Sequence, residues 1–261
     1  MSDENTLTEA ETHSRSRVSR SIRLVNVTFD TPEENLAYDE VLLDQAEKDG
    51  REVLRFWESS SRFVVLGVSQ VLREEVNERE CEEDRVPVLR RCSAGGCVLQ
   101  GPGCLNFTLV LTHELHPDAA TIRGSYCYIL GRICEFLRER DIAAKHKGTS
   151  DIAVKGRKIS GNAQKRRRKA ILHHGTLLYG MDVKLMERYL KEPSDRPQYR
   201  GARTHSGFVN SLPLSPEELR EMIVAGFGIT SKPSKPTRTE RKAIRELVEE
   251  KYGTPGWIRR R

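Results

Sequence analysis

Aromatic residues make up only 6% of this 261-residue chain, and none falls in the most basic stretch, 155–169. Stacking platforms for bases are missing where charge would hold a phosphate backbone, which argues against a nucleic-acid-binding protein. No run approaches the roughly 20 apolar residues that cross a bilayer. The N-terminus lacks the apolar core of a secretory signal, so residues 1–20 read as a disordered tail and the cytoplasm as the compartment. The 6 cysteines form no C-x-x-C pair and have no metal-spaced histidines nearby. In a cytoplasmic chain of this size they read as free thiols rather than a disulfide framework or a zinc site. Neither a P-loop nor a full G-x-G-x-x-G fingerprint occurs, and no internal repeat is present.

Charge is present in quantity and unevenly placed. The formal net charge is +6; residues 155–169 hold 8 Lys/Arg and no acid, and residues 231–261 hold 10 Lys/Arg against 4 Glu. Such runs suit a phosphate-bearing ligand or an acidic protein partner. The apolar pattern predicts strands over 22–29, Val53–Trp57, Phe63–Leu66, 87–91, 97–99, 104–111, 152–154 and 170–179. Helices are predicted from Thr31-Pro32-Glu33-Glu34 to Lys48, over 75–84, over 121–139, from Ser215-Pro216-Glu217-Glu218, and over 241–252. The packed face of 121–139 would carry Ile122, Tyr126, Ile129, Ile133 and Leu137. Short turns between 87 and 111 favour antiparallel neighbours. The fold class is α+β, one mixed, largely antiparallel sheet packed with helices. Residues 21–229 form the main domain, followed by a basic linker and helix over 230–261.

Three segments are unusual for an ordinary domain. In Arg90-Arg91-Cys92-Ser93-Ala94-Gly95-Gly96-Cys97, small residues allow close backbone approach to a ligand and two arginines supply donors for phosphate or carboxylate. In Ser150-Asp151 and Gly156-Arg157-Lys158-Ile159-Ser160-Gly161-Asn162-Ala163, a lysine ammonium and several polar groups converge after a turn. Lys158 could stabilise charge developing on a phosphoryl or acyl group, and Asp151 could hold Mg²⁺ together with phosphate oxygens. In Leu172-His173-His174-Gly175-Thr176, adjacent histidines on a strand face opposite sides, so they do not share one metal and read as structural.

In this order and spacing, the three segments resemble the lipoate–protein ligase catalytic domain. That family carries R-R-x-S-G-G-G-A-V, G-R-K-[IV]-S-G-[SN]-A and H-H-G-T-L-L. Asn35-Leu36-Ala37 and Val64-Val65-Leu66-Gly67-Val68-Ser69-Gln70 add to the match, which spans about 22–230. The resemblance implies the α+β fold of biotin/lipoate protein ligases, more distantly that of class II aminoacyl-tRNA synthetases. It implies two steps: lipoate or octanoate and ATP give an acyl-adenylate, and the lysine of a lipoyl-carrier domain then takes the acyl group. Such carriers include 2-oxoacid dehydrogenase E2 and glycine cleavage H protein. Lys158 is the implied catalytic residue. The implied adenylate site comprises Arg91, Ser93, Gly95, Gly96, Cys97, Val98, Leu99, Asp151, Ser160 and Gly161, with Mg²⁺ at Asp151. Val65, Leu66, Val68 and strand 170–179 would line an acyl tunnel.

The departures narrow the reading. Ala94 replaces the first glycine of the G-G-G run, and Gln100-Gly101-Pro102-Gly103-Cys104 replaces the family's His-Asp-x-Gly-Asn. Large ligases carry a C-terminal accessory domain; members without it rely on a separate accessory protein or transfer a preformed acyl group. Related transferases with a cysteine nucleophile place it where this chain has Ile142-Ala143-Ala144-Lys145-His146. With no cysteine there, a thioester route would fall to Cys97 or Cys104.

Overall fold

The computed structural model describes residues 22–193 and 195–260; the predicted tail over 1–20 lies outside them. In chain order, β1 (Arg23–Asn26) and α1 (Pro32–Asp49) lead to β2 (Val53–Trp57) and β3 (Phe63–Leu66). Two short helices follow, α2 (Leu72–Glu75) and α3 (Glu78–Glu83), then β4 (Val88–Arg90), β5 (Val98–Gln100) and β6 (Cys104–Thr112). The long helix α4 (Ile122–Arg138) precedes β7 (Ala144–Lys147), β8 (Asp151–Val154), β9 (Arg157–Arg166) and β10 (Ala170–Leu178). Helices α5 (Lys184–Tyr189), α6 (His205–Phe208), α7 (Pro216–Gly226), α8 (Arg238–Leu247) and α9 (Pro255–Ile258) complete the chain.

Seven strands form one sheet in the order β1-β2-β6-β10-β9-β8-β7, antiparallel except for the β1/β2 pair. A smaller sheet has the order β4-β3-β5, with β3 parallel to β4 and antiparallel to β5. The expected mixed, largely antiparallel α+β architecture is present. On one face of the large sheet, α4 and α7 bury Ile129, Leu130, Ile133, Leu219 and Ile223 against Phe107, Leu109 and Ile171. On the other face, α1 and α8 close over Val53, Val110 and Leu172. Removing each such side chain from water is worth about 1.5–3 kcal/mol. A third apolar cluster joins the small sheet to α2, α3, α5 and α6.

Local chemistry explains where the elements differ from the sequence expectations. The strand expected over 22–29 stops at Asn26. Phe29 is held in a turn: its N–H donates to Asn35 Oδ1 (3.1 Å) and Asn35 Nδ2 donates to its carbonyl (2.9 Å). Thr31 caps α1 with the predicted capping box, and Gly50 closes it in the left-handed conformation. The helix expected over 75–84 is broken at Val76, which is extended and bridges to Leu190. Ile122 is 62% exposed, because it is the first helical residue, ahead of the packed face. β7 and β9 were not anticipated; both are rich in Lys and Arg, and only their pairing in the sheet makes them strands. Lys155 and Gly156, both at positive φ, close the β8–β9 hairpin as a type I′ turn requires.

The C-terminal segment is stitched to the main body. Ser234 N–H donates to Leu24 O, Arg23 pairs with the fully buried Glu240 at 2.5 Å, and Lys251 and Tyr252 both donate to Glu40. No helix among the described residues is long and apolar enough to cross a membrane.

Candidate active site

The arginine pair does different work from what its charge suggests. Arg90 is fully buried and donates to the carbonyls of Gly67 (2.8 Å), Gln70 (2.7 Å) and Ile258 (2.9 Å). Arg91, also buried, gives Nη2 to the carbonyls of Ala94 (2.7 Å) and Gly96 (3.0 Å), and Nε to Ser93 Oγ (2.9 Å). A trans peptide sets its N–H opposite its C=O. With the carbonyls of 94 and 96 drawn to Arg91, the N–H groups of Gly95 and Cys97 point the other way. The guanidinium expected to grip phosphate thus organises the loop from behind. The end of β3 lies directly on this loop: a Cβ at Gly67 would sit 2.0 Å from the Gly95 carbonyl oxygen, so only glycine fits.

Behind the loop runs a polar chain assembled from distant segments. Ser93 Oγ lies 2.6 Å from His174 Nε2, and His174 Nδ1 lies 2.8 Å from Asp39 Oδ2. Asp39 Oδ1 accepts from buried Arg55 (2.7 Å) and from Thr108 (2.9 Å). Burial alone would raise the Asp39 pKa; the His174 hydrogen bond and the Arg55 charge overcome it and hold the carboxyl below its ordinary range. An ionised Asp39 only accepts, so His174 Nδ1 donates in that bond. His173, as expected, faces the opposite side, packed on Phe107 and Tyr126 and accepting from Gln164 Nε2 at 3.1 Å. Burial pushes its pKa down to about 3, so it is neutral.

The lysine segment meets the loop across a cleft. Lys158 Nζ pairs with Asp151 Oδ1 at 2.7 Å, and Tyr199 donates its hydroxyl to Asp151 Oδ2 at 2.8 Å. Lys158 arches over Gly161, where a Cβ would stand 2.9 Å from Nζ. Asn162 ties the adjoining turn by donating to Ser150 O (2.8 Å) and Ser160 Oγ (3.1 Å). Each Asp151 oxygen therefore already has a partner, and no cluster of three metal-ligating side chains occurs among the described residues. A Mg²⁺ at Asp151 would have this one carboxylate, shared with Lys158 and Tyr199, and phosphate oxygens would supply its other ligands.

Two cavities meet here. An outer cleft of about 640 Å³ is lined by Gly95, Gly96, Cys97, Val98, Leu99, Asp151, Lys158 and Gly161. A narrow inner cavity of about 110 Å³ takes Arg91, Leu36, Trp57, Val65, Phe107 and His174. Gly96, Cys97, Val98, Lys158 and Gly161 belong to both. Of the predicted site residues, Ser93 and Ser160 are buried behind these walls and line neither. Val65 lines the inner cavity as expected, whereas Leu66 and Val68 do not; Leu66 is buried in the third cluster instead. Asp39, His174, Trp57 and Tyr199 were missed as site residues. Only the alternation of the His pair pointed at one of them. Burial raises the Cys97 thiol pKa and pushes that of Cys104 up to about 12, so neither is a ready thiolate.

Comparison with known proteins identifies the family. The family model described as lipoyl protein ligase A/B catalytic domain matches residues 31–228. An octanoyltransferase LipM from Carboxydothermus hydrogenoformans is 33% identical, covering 86% of this chain and 93% of its own. Lipoate-protein ligase LplJ from Bacillus subtilis is 26% identical over 89% of this chain and 71% of its own. Among solved structures, the bi-partite lipoate protein ligase of Thermoplasma acidophilum superposes with a TM-score of 0.81 at 26% identity, covering 92% of this chain and 96% of that one. A lipoate-protein ligase A bound with ATP gives a TM-score of 0.78 at 26% identity, covering 92% and 98%. The chain belongs to the lipoyl protein ligase A/B catalytic-domain family and is an enzyme of the ligase or transferase kind.

Proposed function

We propose that this enzyme attaches lipoate or octanoate to the lysine of lipoyl-carrier domains by way of an acyl-adenylate. The outer cleft takes the nucleotide and the inner cavity takes the acyl chain. The observation that carries this reading is Lys158 on the wall common to both cavities, where an acyl carboxylate and a nucleotide phosphate would meet. In the first step an acyl carboxylate oxygen attacks the α-phosphorus of ATP and pyrophosphate leaves. In the second, the carrier amine attacks the acyl carbonyl, AMP leaves and the amine loses a proton. Negative charge develops beside the same point in both steps, first on the phosphoryl oxygens and then on the acyl oxygen. The Lys158 ammonium, oriented by Asp151, offsets it there. The N–H groups of Gly95 and Cys97 add donors without a charge of their own. Arg91 and Ser93 act by holding that loop rather than by touching the nucleotide. Any Mg²⁺ arrives with the phosphates.

The carrier partner follows from the resemblance and from the Thermoplasma structure, which is described as a bi-partite ligase with its E2 lipoyl domain. The bi-partite make-up of that neighbour also supports a separate accessory protein. A second reading, transfer from a preformed acyl donor without ATP, is favoured by the 33% identity to an octanoyltransferase. The raised thiol pKa values of Cys97 and Cys104 weigh against a thioester on either.

The deciding assay combines the purified chain, a lipoyl-carrier domain, lipoate or octanoate, ATP and Mg²⁺, followed by mass spectrometry. An ATP-dependent mass gain on the carrier is expected. A gain only from a preformed acyl-adenylate or acylated carrier would instead establish the transferase, or half of a two-protein ligase.

A further inference from the structure

The inner cavity has a measurable length. Trp57 on β2 is in register with Asn106 on β6, Asn106 with Thr176 on β10, and Thr176 with Gly161 on β9. All four line the cavity. Three strand spacings make this row about 14 Å long. Lys158 stands over its Gly161 end. A carboxyl group held there puts the far end of an extended octanoyl chain beside Trp57.

That far end is not purely apolar. Trp57 Nε1 and Gln100 Oε1 are buried without a hydrogen-bond partner, and both side chains line the inner cavity. They share one neighbourhood: Gln100 pairs in register with Phe63, and the Trp57 ring stacks on Phe63 with centroids 6.4 Å apart. Among the other polar side chains lining the cavity, Thr108 and His174 bond to Asp39, and Asn106 to the Cys104 carbonyl. A buried donor and a buried acceptor left open carry a desolvation cost that a plain hydrocarbon terminus cannot relieve.

We propose that Trp57 and Gln100 form a polar clamp at the end of the acyl cavity, selecting chains with a thiol or hydroxyl near the distal carbon over unsubstituted ones. The Trp57 N–H donates to the sulfur or oxygen of that group, and its S–H or O–H donates to the Gln100 carbonyl. Octanoate satisfies neither partner, the dithiolane of lipoate offers an acceptor only, and dihydrolipoate offers both. The inference rests on the acyl reading of the inner cavity.

The test is titration calorimetry of the full chain with octanoate, ω-hydroxyoctanoate, lipoate and dihydrolipoate. The ω-hydroxy acid is expected to bind about tenfold or more tightly than octanoate. Trp57→Phe and Gln100→Leu should each bring that ratio close to one, and a ratio still near tenfold in either variant overturns the clamp. Equal affinity of the wild-type protein for octanoate and its ω-hydroxy derivative overturns the clamp, with no variant needed. Failure of every acid to bind overturns the acyl reading itself, a different result from binding without discrimination.

Discussion

At the scale of single residues, the site depends on polar groups whose partners were chosen by the fold. His173 is the plainest case. Burial holds its pKa at about 3 against an ordinary 6.5. Between these values the unfolded chain takes up a proton that the native one refuses. Stability is therefore lost as pH falls below 6.5, by up to about 1.4 kcal/mol per pH unit. Urea midpoints at pH 7 and pH 5 should converge in His173→Gln relative to wild type. An unchanged pH dependence in the variant would refute the neutral buried imidazole. The sequence showed the His pair facing two sides, but not what each would meet. His174 finds Asp39, 135 positions away, and Ser93, 81 positions away, so the Ser93–His174–Asp39 chain is a product of topology. Lys158, Asp151 and the small-residue loop were legible because their chemistry is written in consecutive residues. The roles of Arg90 and Arg91 were not, since a sequence shows two charges and not the carbonyls around them.

At the scale of elements, the C-terminal segment is more than an appendage. Trp57 ends the inner cavity, while Trp257 on α9 donates its indole N–H to the Arg90 carbonyl at 2.8 Å. Arg90 in turn donates to the carbonyl of Ile258 on α9 and to those of Gly67 and Gln70. The last helix thus braces the strand that feeds the Arg91 loop. Trp257→Ala removes one partly buried hydrogen bond and an aromatic contact with Tyr252, at an expected cost of about 1–3 kcal/mol. The informative readout is kinetic: KM for the acyl donor should rise in this variant while its far-ultraviolet dichroism stays native. An unchanged KM would mean that α9 contributes stability alone. Capped helices such as α1 and α7 were readable from their Thr31 and Ser215 boxes. β7 and β9 were not, because Lys-rich strands owe their conformation to neighbours in the sheet.

At the scale of the whole molecule, the large sheet works as a ruler and a platform. β2, β6, β10 and β9 set the row from Trp57 to Gly161, and the small sheet brings the Gly95–Gly96 loop over it. Helices pack on both faces, and Trp57, Asn106, Thr176 and Gly161 of the row all line the inner cavity. The basic β9–β10 hairpin stays partly on that platform: Arg166 donates to the carbonyls of Ala119 and Ala120, and Arg167 pairs with Asp44. In the proposed reaction, Lys158 is the point where acyl and phosphate chemistry meet. The most direct measurement is single-turnover transfer from preformed lipoyl-adenylate to a carrier domain, comparing wild type with Lys158→Ala at matched thermal stability. A loss of roughly 10²–10³ in the rate of transfer is expected. Transfer by Lys158→Ala at the wild-type rate would contradict it.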